Sequence, residues 1–147
     1  MKKEPRSHCS INLALEVFGD KWTLLIIRDI MLGDKRHFRE ILQSDERISS
    51  NILTTRLNML EEQGIITKQK DDSHKQKFLY SLTAKGIDLL PVITAMAEWS
   101  LKHEPVDEVS SQHTQALVDG GAPLVRQFMK TLTDKHLPTD DQAQSAK

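Results

Sequence analysis

The sequence predicts a mainly α-helical protein with one small β-hairpin, and three observations support that prediction. Leucines recur in residues 48–64 at i, i+4 and i+7, the spacing of a stripe that a helix buries. Residues 65–82 begin with β-branched side chains and end in period-two alternation around a charged centre, as in two strands joined by a turn. Residues 11–18 and 84–103 are helical in spacing and carry more apolar surface than one small domain needs, which suggests contact with a second subunit.

The chain has 147 residues, which is enough for one domain of ordinary size, and 38% of them are hydrophobic and 28% charged. No apolar run approaches the ~20 residues of a membrane span, and the first ten residues lack the apolar core of a signal peptide. With a single cysteine, which excludes an intrachain disulfide, these features predict a cytoplasmic protein without membrane contact. Residues 1–80 carry 14 Lys and Arg against 12 Asp and Glu, so a local basic surface is allowed although the net charge is −1.

The first half of the chain reads as four helices. Helices are predicted at residues 11–18, 21–32, 37–43 and 48–64. Asp20 can cap the second, which is apolar enough to be the central core helix, and Gly33 ends it. Ser49 or Ser50 can cap the fourth, and Gly64 suits the left-handed position at its end.

After the hairpin the pattern returns to helices. Thr83 is expected to cap one long helix over residues 84–103, bent at Pro91 and ended by residues 104–105. Beyond it we expect a weak helix over 108–118, a break at 119–121, an amphipathic helix over 123–132 with Pro123 in its first turn, and a polar tail.

The fourth helix has an unusual outer face. Its exposed side is expected to carry short uncharged polar residues, which lower helix propensity and so need a reason. They are Ser49, Ser50, Asn51, Thr54, Thr55 and Asn58. Such groups can meet base edges and phosphates in a major groove, and Asn51 could read adenine through two hydrogen bonds. The alternative is an ordinary surface helix that happens to be polar.

Together the third and fourth helices resemble a helix-turn-helix, and the charged hairpin behind them resembles the wing of a winged helix. The fourth helix would lie in the major groove while wing lysines reach phosphates beside it. These lysines are Lys68, Lys70, Lys75 and Lys77.

Other cations border this surface. Lys35, Arg36 and Arg39 flank the third helix and could hold the DNA backbone, although plain solvation is the equal alternative for each. Arg56 lies towards the inner flank of the fourth helix. It could pair with a phosphate or with an acidic residue of its own subunit.

An ordered set of motifs from Cys9 to His103 resembles the HxlR family of bacterial winged-helix transcription regulators. The matching positions are Cys9, 19–22, 38–41, 48–49, Leu53, 56–57, Leu60, 64–65, 80–83, Gly86, 90–91 and 98–99. The chain departs from the family where Ser10 replaces a common proline, in a wing tip that reads DDSHKQK, and in its length beyond residue 105.

The resemblance implies a winged helix-turn-helix domain over residues 9–104 with flanking dimerisation helices. It also implies a homodimer on a pseudo-palindromic double-stranded operator, with half-sites about 34–36 Å apart or a multiple of that. Members of the family include repressors and activators, and repression is favoured here. Residues 1–8 are then a flexible arm, 105–136 a helical extension and 137–147 a disordered tail. A winged-helix module that contacts proteins and never enters DNA is the competing interpretation.

Cys9 is the candidate for a signal. Several members of the family use a cysteine near this position to sense oxidants or electrophiles, and cations before it would raise its thiolate fraction. The competing interpretation is a small residue that merely starts the first helix. No metal site or cofactor is expected, because the six histidines lack ligand spacing, and no enzyme motif is present. An effector other than an oxidant could sit between the dimer helices, but no residue identifies it.

Overall fold

The computed structural model describes residues 3–73 and 77–138, and within them the elements follow the predicted order. They are α1 (Ser10–Phe18), α2 (Thr23–Met31), α3 (Phe38–Leu42), α4 (Ser50–Glu62), β1 (Ile66–Lys70), β2 (Phe78–Leu82), α5 (Ala84–Ile87), α6 (Leu90–His103) and α7 (Gln112–His136). The predicted fold class, mainly helical with one antiparallel hairpin, is confirmed.

The core is built around α2, as the sequence predicts. Ile26, Ile27 and Ile30 are at most 2% exposed and belong to one apolar cluster with the leucine stripe of α4. Asp20 holds the start of α2, because its carboxylate accepts hydrogen bonds from the N–H groups of Trp22 and Thr23 at 2.9 and 3.0 Å. This capping fixes the start of the core helix.

The hairpin pairs β1 with β2 in the register Ile66↔Leu82, Lys68↔Tyr80 and Lys70↔Phe78. β1 therefore continues further into the charged segment than its β-branched start suggested. The Asp71 N–H donates to the Lys77 carbonyl at 2.9 Å and extends the pairing by one step. The turn itself, residues 74–76, lies outside the described part of the chain.

The prediction of one continuous helix over residues 84–103 is wrong, because the chain forms two helices that are divided between Ile87 and Leu90. Thr83 does cap a helix, since its hydroxyl oxygen accepts from the Gly86 N–H at 3.2 Å, but α5 ends at Ile87. Pro91 lacks the N–H that would continue that helix and instead stands in the first turn of α6. The predicted end at residues 104–105 is right, because α6 stops at His103.

The C-terminal part forms α7, kinked at Gly121, whose φ of 68° and ψ of −165° suit glycine alone. The predicted break at 119–121 is thus confirmed, while the helical segments on both sides differ in extent from those predicted. Leu117, Val125 and Leu132 of α7 join the core. Most of the predicted tail, residues 139–147, lies outside the described residues. Within the described chain, none of the helices has the length and apolar character needed to cross a membrane.

Candidate nucleic-acid interface

The N-terminal half of α4 presents the polar face that the sequence predicts. Ser49, rather than Ser50, is the capping residue, since its hydroxyl oxygen accepts from the Ile52 N–H at 3.2 Å. All six predicted recognition residues are exposed. They are Ser49, Ser50, Asn51, Thr54, Thr55 and Asn58. Leu53, Leu57 and Leu60 are at most 3% exposed on the opposite side, so the helix is anchored by one face and open on the other.

The two threonines of this face are already partly engaged. Thr54 donates its hydroxyl to the Ser50 carbonyl at 2.8 Å, and Thr55 donates to the Asn51 carbonyl at 2.9 Å. Their oxygens remain acceptors, and their methyl groups can meet thymine methyls. Within the described residues the Asn51 amide makes no hydrogen bond to the protein, so both its donor and its acceptor are available.

Two roles were predicted for Arg56, and the structure shows the ion pair with an acidic residue of its own subunit. Its Nε lies 3.4 Å from Asp20 Oδ2, and the side chain is about one-third exposed. Asp20 is also the residue that caps α2. The ion pair therefore ties the recognition helix to the start of the core helix, and Arg56 is committed to the fold in this structure.

Arg36 makes hydrogen bonds within the fold through its guanidinium, a role that neither of its two predicted alternatives includes. Its Nε donates to the Tyr80 carbonyl at 3.2 Å and its Nη2 donates to the Ser81 hydroxyl. The Arg36 carbonyl also accepts from the Tyr80 N–H at 2.8 Å. Arg36 thus holds the segment before α3 against β2.

Two further cations border the helix-turn-helix, and they differ in how exposed they are. Lys35 is half-buried with its Nζ 4.0 Å from Asp29 Oδ2. Arg39 is exposed on α3. Of the three flanking cations that the sequence nominates, Arg39 is the one best disposed to reach a DNA backbone.

The wing presents its lysines on β1 and at the start of the returning chain. Lys68, Lys70 and Lys77 are exposed, and the Lys68 ammonium lies 4.2 Å from the centroid of the Phe78 ring. That cation–π contact orients Lys68 while leaving its charge accessible. Lys75, the fourth predicted wing contact, lies outside the described residues.

A histidine that the sequence pattern does not single out joins the wing to the helix-turn-helix. His37 Nε2 lies 2.7 Å from Asp71 Oδ2, just past the turn end of β1, and its Nδ1 lies 2.5 Å from Glu40 Oε1 on α3. The carboxylates of Asp71 and Glu40 raise the pKa of His37, and Ser73 together with His37 holds the pKa of Asp71 below its usual range. In its protonated form the imidazole bridges two acidic groups that would otherwise repel.

Cys9 is fully exposed at the N-terminus of α1. The N–H groups of Asn12 and Ile11 lower the pKa of its thiol. The cause differs from the predicted one: among the preceding cations, Arg6 hydrogen-bonds Glu16 and Asn12 instead of facing the thiol. The direction of the pKa change is the one that favours thiolate.

Two helices expose apolar side chains that the described chain does not cover. Ile11 and Leu15 of α1 are 71% and 49% exposed, and Met96 and Trp99 of α6 are 52% and 58% exposed. No residue of α1 is buried. These are the two helices whose surplus apolar surface the sequence pattern assigns to a second subunit.

The HxlR-like helix-turn-helix family model matches residues 17–108. This chain belongs to the HxlR family. The match includes the core helix, the polar helix, the wing and all of α6, and it ends before α7.

Known relatives agree with this assignment. YodB of Bacillus subtilis, a helix-turn-helix-type transcriptional regulator, is 36% identical over 100 residues, which cover 67% of this chain and 88% of YodB. A helix-turn-helix-type regulator of Mycobacterium tuberculosis is 33% identical over 99 residues, and the match spans 67% of this chain but only 61% of that protein.

Solved structures show the same architecture. The reduced form of YodB superposes with a TM-score of 0.56 at 31% identity, over 69% of this chain and all of YodB. The redox regulator HypR in its oxidised form gives 0.58 at 32% identity, over 67% of this chain and all of HypR. A quinone-bound structure of YodB gives 0.53 at 29% identity, over 64% of this chain and 98% of YodB. This HxlR-family chain is accordingly a transcriptional regulator of the winged-helix type, and its family and neighbours are regulators rather than enzymes.

Proposed function

We propose that this protein binds double-stranded DNA in a sequence-specific manner, with the N-terminal half of α4 in the major groove. The observation that carries the proposal is the exposed, uncharged face of α4 opposite a fully buried leucine stripe. Short amides and hydroxyls on a rigidly anchored helix suit base-edge hydrogen bonds. The exposed wing lysines and Arg39 supply the charge that phosphates require.

The DNA-binding unit is a homodimer that joins through α1 and α6. Support comes from the exposed apolar side chains of both helices, because several large apolar side chains exposed on one helix are typical of an interface. A twofold dimer presents two copies of α4 and therefore fits a pseudo-palindromic operator. Residues 9–104 form this winged-helix unit and residues 105–136 an extension of it.

Repression is the favoured outcome of binding. A dimer that sits on a promoter excludes RNA polymerase without any further contact, whereas activation needs a surface that recruits it. The effect on transcription is measured directly with a reporter placed behind the selected operator.

The signal is an oxidant or an electrophile that reacts with Cys9. Support comes from the exposure of the thiol, the lowered pKa and the redox-regulator and quinone-bound relatives. A quinone would form one C–S bond by conjugate addition of the thiolate to its ring. One proton taken from water and the proton lost from the attacked ring carbon then go to the two ring oxygens, which gives the hydroquinone thioether. A diazene oxidant would instead join two Cys9 thiols as a disulfide and take up their two electrons and two protons.

The DNA-binding proposal is tested by fluorescence anisotropy with duplexes selected by the protein, over a series of salt concentrations. We expect affinity to fall steeply with salt, because each neutralised phosphate releases counterions. Salt-independent binding, or no selected duplex at all, would instead support a module for protein–protein contact.

The Cys9 proposal is tested with the same duplex after treatment with diamide or a quinone. Wild-type binding should respond and Cys9→Ser binding should not. If the Cys9→Ser variant responds equally, another group receives the signal.

A further inference from the structure

The outer edge of β2 has no strand beside it in the described chain, yet the outward N–H groups of Tyr80 and Leu82 are both paired. In a two-stranded hairpin these groups would normally face solvent or need another partner. The Tyr80 N–H donates to the Arg36 carbonyl at 2.8 Å. The Leu82 N–H donates to the imidazole Nδ1 of His136 at 3.1 Å. A side chain from the far end of the chain therefore satisfies the outward N–H at the Leu82 end of this edge.

This hydrogen bond is buried, and it allows only one protonation state of His136. Leu82 is 1% exposed and His136 is 7% exposed, so water cannot readily replace either partner. A backbone N–H only donates, so Nδ1 must carry a lone pair and the proton of a neutral imidazole must be on Nε2. A protonated His136 would place an N–H against the Leu82 N–H and break the bond.

The surroundings keep His136 neutral. Burial is the main cause of a pKa lowered to about 4, and the positive charges of Arg36 and Lys135 act in the same direction. Asp34 opposes them, but its carboxylate is held by Lys135, with Nζ 2.8 Å from Oδ1. Two residues at the end of α7, Lys135 and His136, thus hold the segment before α3 and the second strand of the wing.

We propose that His136 is a positioning residue through which the C-terminal extension sets the placement of the wing. The extension lies beyond the residues that the family model matches, and its last turn takes the place that an edge strand would occupy. The effect on DNA binding rests on the function proposed above. The effect on the wing itself does not.

The test uses two substitutions of His136 in the full chain. His136→Phe keeps a ring in the same space but removes the acceptor, whereas His136→Asn offers an oxygen near the position of Nδ1. His113→Phe is the matched control, because His113 is exposed on the same helix. Amide hydrogen exchange at Leu82 is the primary measurement.

We expect exchange at Leu82 to become at least about tenfold faster in His136→Phe, because a buried N–H is left without its acceptor. His136→Asn should retain most of the protection, and the control should match the wild type. Unchanged protection of Leu82 in His136→Phe would overturn the proposal. Equal loss of protection in the Phe and Asn variants would also overturn it, since packing alone would then explain the effect.

A pH profile on the unmutated chain provides a second readout. The folded-state pKa is below the usual 6.5, so the bond is intact at neutral pH and its contribution disappears as pH falls from about 6.5 towards about 4. Leu82 protection, corrected for intrinsic exchange, should fall in that window in the wild type and stay flat there in His136→Asn. A wild-type profile that is flat down to pH 4 would contradict the proposal.

The DNA measurement separates this proposal from the proposed function. In His136→Phe, DNA binding should weaken. The slope of log affinity against log salt should also decrease, by about one unit for each wing lysine that no longer reaches a phosphate. If the wild type binds no DNA, the proposed function fails, and exchange at Leu82 still decides whether His136 positions the wing.

Discussion

The recognition helix α4 and the wing differ in how much of their anchoring is polar. α4 is anchored by three buried leucines and leaves uncharged groups exposed. The wing exposes lysines, and in addition to its buried Ile66, Tyr80 and Leu82 it is held by polar interactions with Arg36, His37 and His136. Apolar anchoring is insensitive to pH and salt, which suits sequence reading. Polar anchoring makes the placement of the charged hairpin adjustable.

The largest expected effect comes from removing the arginine that joins the segment before α3 to the wing. Arg36→Ala should lower the free energy of unfolding by about 1.5–3 kcal/mol, because its charged hydrogen bonds to Tyr80 and Ser81 disappear. Denaturant unfolding measures it. Arg39→Ala is the control, since Arg39 is exposed and its removal should change stability by less than about 0.5 kcal/mol. Equal effects from both substitutions would contradict the structural role of Arg36.

Asn51→Ala tests the sequence-reading side. Operator binding should weaken by about 1–3 kcal/mol and preference at the contacted position should relax, because a bidentate hydrogen bond to a base is removed. A mobility-shift titration against matched and mismatched duplexes measures both. Gln127→Ala removes an exposed amide from α7 and should leave binding unchanged. Unaltered affinity and preference in Asn51→Ala would remove this residue from the interface.

Lys70→Ala tests the charged side. Binding should weaken equally on all duplexes, and the slope of log affinity against log salt should decrease by about one, because one phosphate is no longer neutralised. Lys130→Ala, an exposed lysine on α7, is the control for net charge. A change in sequence preference caused by Lys70→Ala would contradict the division between α4 and the wing.

The smallest effect concerns the pH dependence of the contact between His37 and the wing. The folded-state pKa of His37 is raised, so its interactions with Asp71 and Glu40 contribute fully below the usual pKa and disappear as pH rises through the folded value. The thermal unfolding temperature should therefore fall more between about pH 6 and pH 9 in the wild type than in His37→Asn. Parallel profiles would show that the histidine does not carry this bridge. The window lies above that of His136, so the two contributions can be separated.

Features set by local spacing could be predicted from the sequence. The leucine stripe of α4, its serine cap and the break before Pro123 depend on residues a few positions apart. The same holds for the end of α6. The division of residues 84–103 into two helices could not be predicted in this way, because Pro91 fits a bend within one helix as well as the first turn of a new one.

The anchoring of the wing could not be predicted, because its partners are far apart in the chain. Arg36 meets Ser81 across 45 positions, His37 meets Asp71 across 34, and His136 meets Leu82 across 54. A charged residue next to a helix-turn-helix suggests a DNA contact until its neighbours in space are known. For Arg36 and Arg56 those neighbours lie within the fold.

The division of labour between α4 and the wing is tested most directly by selecting duplexes from a randomised library with the wild type, Asn51→Ala and Lys70→Ala side by side. The wild type should enrich an inverted repeat with half-site centres about 34–36 Å apart, or a multiple of that. Lys70→Ala should enrich the same repeat with lower affinity, and Asn51→Ala a degenerate form of it. Failure of the wild type to enrich any sequence, or an intact repeat in Asn51→Ala, would contradict sequence reading by α4.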